Sequence, residues 1–204
     1  MNEAQFRTLW SGFAERVEAH KEELNALDAA IGDADHGTNM ARGLAKATEA
    51  LAGVPTGSLR AEAKAVGMAI MSTVGGASGA LWGSALLRFA AALPDGPECS
   101  WEEFLEALAA LVGAMRDRGK AELGDKTMMD VFYPALEALQ TANEPPAAAA
   151  SRVAREAAGW AAGTTDLVAR KGRASYLGER SKGHQDPGAT SAVMFLEALA
   201  LAMA

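Results

Sequence analysis

SWEEFLEALAALVGAM, residues 100–115, decides the fold class of this 204-residue chain. Trp101, Phe104, Leu105, Leu108, Leu111, Val112 and Met115 recur at steps of three and four, which gathers them on one stripe of a buried helix. Ser100, followed three residues later by Glu103, reads as an N-cap with its capping-box glutamate. Working outward, Phe6, Leu9, Trp10, Phe13 and Val17 repeat the same spacing near the start, and no segment alternates like a strand. Breaking the chain at Gly, Pro and Asp/Asn/Ser clusters predicts eight helices, over 3–30, 37–52, 58–74, 78–93, 100–118, 127–141, 147–170 and 188–203. Asp186-Pro187 supplies a proline at a first helical position. The expected class is all-α, and the short connections favour an up-and-down antiparallel bundle.

Composition agrees with this class. The chain carries 47 alanines against 6% aromatic residues, and alanine combines the best helix propensity with close helix approach. Half of the residues are hydrophobic, which excludes fibrous and disordered classes at a length sufficient for a substantial core. A formal net charge of −7 argues against nucleic acid or an anionic membrane as a partner, since phosphate contacts need clustered Lys and Arg. The single cysteine, Cys99, cannot form an internal disulfide, and MNEAQFRTLW lacks the pattern of a signal peptide, so a cytoplasmic protein is expected. The apolar stretch 188–204 contains Glu197 and falls short of the roughly 20 residues a membrane span requires. Ala147–Ala150 is too short to be a linker, and no fixed-period repeat interrupts a single domain over 1–204.

The seven connections fall into two kinds. Those at 52–55, 93–97 and 143–146 hold five of the seven prolines and read as ordinary turns. Those at 32–37, 75–79, 119–126 and 172–188 are rich in Gly, Asp, His, Ser, Lys and Arg. In an up-and-down array all four of the second kind lie at one end, and that end is the expected site. Asp28, Asp33 and Asp35 form a cluster whose hard oxygens suit Mg²⁺ or Ca²⁺, or else serve as a cap and solvated turn residues. An EF-hand is excluded, because counting from Asp33 the glycine comes one place early and position twelve is Leu44. Gly75-Gly-Ala-Ser-Gly79 opens a helix and reads as an anion site or as close helix packing, but it is not a P-loop. His36 and His184 lack the spacing of a transition-metal site; His36 is a ligand contact or a capping residue, and His20 a surface residue. Arg173, Arg180, Lys182, His184 and Asp186 read as a charged surface loop or as the cationic side of a phosphate site. Together the four loops point to a metal-bound phosphorylated ligand.

Four segments carry a family resemblance: Leu27 to Met40, Gly75 to Gly79, Gly124 to Met128, and Gly172 to Ser191. In order and over the whole chain, they resemble the nucleotide-binding L subunit of dihydroxyacetone kinase. The resemblance implies an eight-helix up-and-down barrel with the nucleotide site at one end. It implies that Asp28, Asp33 and Asp35 hold two Mg²⁺ ions, and that His36, Gly37, Thr38, Asn39, Ala77 and Ser78 surround the nucleotide phosphates. Gly119, Met128, Arg173 and the turn Asp186-Pro187-Gly188 would complete the pocket. A chain with only the nucleotide domain resembles the branch fed by the phosphoenolpyruvate-dependent phosphotransferase system. There ADP stays bound, receives a phosphoryl group from a phosphohistidine of an M subunit, and passes it to dihydroxyacetone on a K subunit. No catalytic nucleophile or base is assigned to this chain. The alternatives are the nucleotide domain of a split ATP-dependent ketose kinase, a nucleotide-sensing binder of a transcription regulator, and a Mg²⁺-dependent phosphohydrolase.

Overall fold

The computed structural model describes residues 1–74 and 76–204, with only the backbone of Gly76 and Ala77. Among the described residues nine α-helices run in order: α1 (Glu3–Ala19), α2 (Lys21–Ile31), α3 (His36–Ala52), α4 (Leu59–Thr73), α5 (Gly76–Ala92), α6 (Trp101–Gly119), α7 (Met129–Gln140), α8 (Pro146–Gly163) and α9 (Pro187–Met203). Two 3₁₀ segments, Thr164–Asp166 and Arg173–Ser181, lie between α8 and α9. Among the described residues there is no strand, only an isolated bridge between Asn2 and Glu98. The all-α expectation holds. From α3 to α9 each helix packs on the next, and α1 lies between α3 and α9, which closes the ring.

Two expected spans need correction. The rod expected over 3–30 is broken at His20, where φ −108° and ψ 17° leave the helical region and separate α1 from α2. Past the break α2 packs chiefly on α3, keeps a smaller contact with α9, and reaches the Arg173–Ser181 segment. The helix expected over 147–170 ends at Gly163, and the rest is 3₁₀ turn and loop. The chemically marked starts match: Ser100 Oγ accepts from Glu103 N at 3.1 Å while Glu103 Oε2 accepts from Ser100 N at 2.7 Å. Asp186 Oδ2 likewise caps α9, accepting from Ala189 N at 2.7 Å.

The core shows why so few aromatics suffice. All six phenylalanines are buried, and with Trp10 and Trp82 they form a connected chain of ring contacts between helices on opposite sides of the ring. Alanine serves where helices meet: the buried face of α8 is Ala149, Ala150, Val153, Ala154, Ala157 and Ala161. At the α4–α5 contact Gly83 is required, since a Cβ there would stand 2.5 Å from Met71 Cβ. Two of the proline turns meet at one end with the start of α1, where Leu59 N donates to Gly96 O at 2.8 Å and Glu3 N to Pro97 O at 3.1 Å.

One buried ion pair fastens that end. Arg7 Nε and Nη2 both donate to Oε1 of the fully buried Glu62, while Oε2 has no partner. Burial pushes the Glu62 carboxyl above its usual range, and Arg7 opposes the shift. Glu62→Ala would remove the carboxylate and leave the guanidinium only the carbonyl of Val54, to which Nη2 donates at 3.1 Å. Because Arg7 is a third exposed, we expect a loss at the lower end of what breaking a buried pair costs, about 3 kcal/mol by denaturant unfolding. A carboxyl with a raised native pKa binds its proton more tightly when folded. Its contribution to stability therefore falls as pH rises from the ordinary glutamate range through the raised one. Glu62→Gln is expected to flatten that slope, and an unchanged slope would refute the assignment.

Candidate functional site

The opposite end is built from α2 outward. The last turn of α2 delivers Asp28, Gly32 ends the helix, and Ala34 turns the chain at φ +64° so that Asp33 and Asp35 come back towards it. Asp28 Oδ2 accepts from the backbone N–H of Asp35 at 2.8 Å and of His36 at 3.2 Å, so the carboxylate of one helix caps the next. One carboxylate oxygen from each of Asp28, Asp33 and Asp35 lies within 4.8 Å of the others. Asp28 is buried and the other two are exposed. Three carboxylates at this spacing repel one another, and as a set of hard oxygen donors they fit a divalent cation such as Mg²⁺. The nearest cationic group is Arg173, whose Nη1 stands 3.0 Å from Asp33 Oδ2.

These carboxylates edge a cavity of about 540 Å³. His36 and Asn39 reach it from the start of α3, Ser78 from the start of α5, and Pro187 and Gly188 from the start of α9. Three helix N-termini with a cation site beside them suit an anion such as phosphate. The far wall is apolar, formed by Leu81, Met115, Ala121, Met128 and Met129 beside Gly119. Lys171, Gly172 and Arg173 bound it from the long connection before α9, and a volume of this order accommodates a nucleotide-sized ligand.

His36 is nine-tenths buried, and burial lowers its pKa against the pull of Asp28 and Asp35. Its Nε2 lies 3.0 Å from Ser191 Oγ, which itself donates to Gly188 O at 3.0 Å. The serine proton is therefore committed, and a neutral imidazole must carry its hydrogen on Nε2. Asp186, on the cavity floor, has its carboxyl raised to about 7, chiefly by removal from water, with the N–H of Ala189 opposing.

Of the residues expected from sequence, the structure gathers Asp28, Asp33, Asp35, His36, Asn39, Ser78, Gly119, Met128, Arg173, Asp186, Pro187 and Gly188 around this one cavity. Gly37 and Thr38 are not among its lining. Thr38 pairs with Asn25 through N–H···Oδ1 at 3.0 Å and Nδ2–H···Oγ1 at 2.9 Å, and a Cβ at Gly37 would fall on the carbonyl of Lys21. Both residues hold α3 against α2. Gly75 and the side chain of Ala77 lie outside the described residues. The sequence reading missed Leu81, Met115, Arg118, Lys126, Thr127 and Lys171. Lys126 and Thr127 stand inside the Gly124–Met128 segment and were the findable ones.

The comparisons with known proteins match this geometry. The model of the DAK2 domain matches residues 30–201. Over 187 residues the chain is 46% identical to the ADP-binding subunit of PEP-dependent dihydroxyacetone kinase from Escherichia coli strain K12, covering 89% of this chain and 88% of that protein. It is 41% identical to the corresponding ADP-binding subunit of kinase 1 from Listeria innocua, covering 92% and 90%. An L-erythrulose 1-kinase of Mycolicibacterium smegmatis is 40% identical over 87% of this chain, which spans only 32% of that longer protein. Among solved structures, the dihydroxyacetone kinase of C. freundii in complex with AMP-PNP and Mg²⁺ superposes with a TM-score of 0.73 over 96% of this chain. At 24% identity, and with this chain spanning 33% of that one, the likeness establishes the fold. By its domain match, and by relatives that it spans almost from end to end, the chain belongs to the DAK2-domain family.

Proposed function

We propose that residues 1–204 form a single nucleotide-binding domain, the ADP-carrying subunit of a phosphotransferase-system-dependent dihydroxyacetone kinase. Its task is to relay a phosphoryl group from a phosphohistidine on an M-type subunit, by way of resident ADP, to dihydroxyacetone held on a K-type subunit. The carrying observation is the carboxylate cluster of Asp28, Asp33 and Asp35 on the edge of a cavity entered by three helix N-termini. Asp28, Asp33 and Asp35 would hold two Mg²⁺ ions, which supply the charge neutralisation that phosphoryl transfer requires. The N-terminal turns of α3, α5 and α9, with His36, Asn39, Ser78 and Gly188, would face the phosphates. The apolar wall with Gly119 and Met128 would take the base, and Arg173 would reach across from the long connection. Transfer of this kind depends on position and electrostatics, so no side-chain nucleophile or base is assigned. A cytoplasmic location fits the free thiol of Cys99, and no helix of the described residues is long and apolar enough to cross a membrane.

Denaturing the purified protein is expected to release stoichiometric ADP. Combined with phosphoenolpyruvate, the phosphotransferase proteins and both partner subunits, it is expected to support phosphorylation of dihydroxyacetone; free ATP should not replace the phosphohistidine donor. An empty protein that turns over free ATP with a K-type partner alone would overturn the resident-cofactor reading.

A further inference from the structure

Lys126 borders the candidate cavity, where a lysine would ordinarily be taken for a phosphate ligand. Its surroundings say otherwise. The side chain is only 1% exposed, and its ammonium donates to three main-chain carbonyls: Thr164 at 2.7 Å, Leu167 at 3.2 Å and His184 at 2.5 Å. An ammonium has three N–H groups, so none is left to offer a ligand.

The three carbonyls belong to the two ends of one excursion. Thr164 follows directly on α8, Leu167 follows the first 3₁₀ turn, and His184 stands two residues before the Asp186 cap of α9. Between Leu167 and His184 the chain swings out, carries Lys171, Gly172 and Arg173 to the cavity, and returns. The neck of the excursion is closed around Lys126 by further bonds. Gly183 N donates to Thr165 O at 2.8 Å, and Asp186 N to Thr164 Oγ1 at 3.0 Å.

The lysine is itself rigidly mounted. Lys126 sits at φ +62°, Asp130 receives the N–H groups of Gly124 and Thr127, and Asp125 Oδ2 receives that of Glu122 at 2.9 Å. Arg170 N donates back to Asp125 O at 3.1 Å. Turn 122–127 is thus a fixed post beside Met128, and the start of α9 is tied to it. The two are in van der Waals contact: a Cβ at Gly188 would meet Met128 Cε and N at 3.6 Å.

We propose that Lys126 is a positioning residue: its ammonium braces the 164–186 excursion and the α9 N-terminus against the 125–128 turn. It thereby sets the width of the cavity and the place of Arg173 without touching the ligand. The inference rests on the nucleotide-site reading above, but it concerns this chain's own main-chain contacts. An ordered excursion makes a preassembled site, whose affinity is not reduced by the cost of ordering the loop on binding.

The test pairs Lys126→Met, which keeps the apolar stem and deletes the ammonium, with Lys126→Arg, which keeps a charged multiple donor. ADP affinity with Mg²⁺ is measured by calorimetry, and amide hydrogen exchange is followed along the whole chain. Lys126→Met is expected to weaken ADP binding about 10- to 100-fold and to raise exchange at 164–188, leaving α4 to α6 protected; this range is that seen when groups supporting a binding site are removed. Lys126→Arg should recover most of the affinity. Thr164→Val removes the hydroxyl link to Asp186 but retains the carbonyl, and should weaken ADP several-fold even if the methionine variant fails to fold. Wild-type affinity in a folded Lys126→Met, wild-type affinity in Thr164→Val where the methionine variant does not fold, or raised exchange spread evenly over all helices would overturn the proposal. A wild-type protein that binds no ADP would instead overturn the nucleotide reading while leaving the exchange result to judge the brace.

Discussion

Asp33→Ala, and separately Asp35→Ala, is expected to strip the protein of its nucleotide and leave the helical fold standing. Each change removes one of three carboxylates whose oxygens lie within 4.8 Å of one another and which are proposed to hold the metal. Losing a group that merely supports a metal ligand costs 10- to 100-fold in affinity, so losing a ligand itself should weaken ADP with Mg²⁺ by at least about 100-fold. The fold should survive because neither side chain supports it. Both residues are exposed, and the one ion pair they make, Asp33 to Arg173, joins partners 35% and 64% exposed. Such a pair contributes about 0–1 kcal/mol. Without metal, deleting one of three mutually repelling charges should leave the thermal midpoint equal or slightly raised. Asp28→Ala is the less informative variant, because Asp28 also receives the N–H groups of Asp35 and His36 at the start of α3. Calorimetric titration of ADP with and without Mg²⁺, with circular dichroism on the same samples, decides the matter. Chelating the metal from wild type should reproduce the loss, and wild-type ADP content in either variant would refute the metal assignment.

The helices were legible because burial imposes the three-and-four spacing wherever a rod faces a core, and because Ser100 and Asp186 announce two of the starts. The break at His20 was not legible. Glu-Ala-His-Lys-Glu contains no glycine or proline, and each residue tolerates a helix. The break is imposed by packing, since α1 must lie between α3 and α9 while the tip of α2 must bring Asp28 to the start of α3. Site residues were legible where chemistry concentrated in loops. Where the site continues into a helix, a contiguous motif misleads. His36 and Asn39 lie three apart and share a face, whereas Gly37 and Thr38, turned by about 100° per residue, face α2. Leu81 and Met115 line the cavity, yet the spacing alone could not tell them from core, because periodicity reports the face of a helix and not its level along the barrel.

The charge of the molecule divides on the same principle. Seven of the nine aspartates, Asp28, Asp33, Asp35, Asp125, Asp130, Asp166 and Asp186, lie at the site end, and they do different work. Asp125, Asp130 and Asp186 accept backbone N–H groups, Asp33 and Asp35 stand exposed in the carboxylate cluster with Asp33 paired to Arg173, and Asp28 belongs to both sets. Acidic composition at this end is therefore part scaffold and part carboxylate cluster, so single substitutions there are expected to separate into fold effects and ligand effects.

Phe195→Ala is expected to give the converse result, a large loss of stability with the site chemistry unaltered in every molecule that remains folded. Phe195 on α9 is 2% exposed, and its ring lies 5.6–6.1 Å from those of Trp10, Phe13, Trp82 and Phe132. It therefore joins α1, α5, α7 and α9 across the axis of the barrel. Truncating a buried phenylalanine typically costs about 3–5 kcal/mol, and the surrounding rings cannot collapse into the space because each is held by its own helix. Against a total stability of roughly 5–15 kcal/mol, that is enough to bring the midpoint of unfolding close to the working temperature. None of the three aspartates touches this ring cluster, so saturating ADP and Mg²⁺ should restore part of the lost stability by mass action, as they cannot in Asp33→Ala. Thermal unfolding of both variants with and without ligand separates the two roles. A Phe195→Ala protein that melts within a few degrees of wild type would show that the aromatic column does not hold the barrel closed, and that the alanine contacts between neighbouring helices suffice.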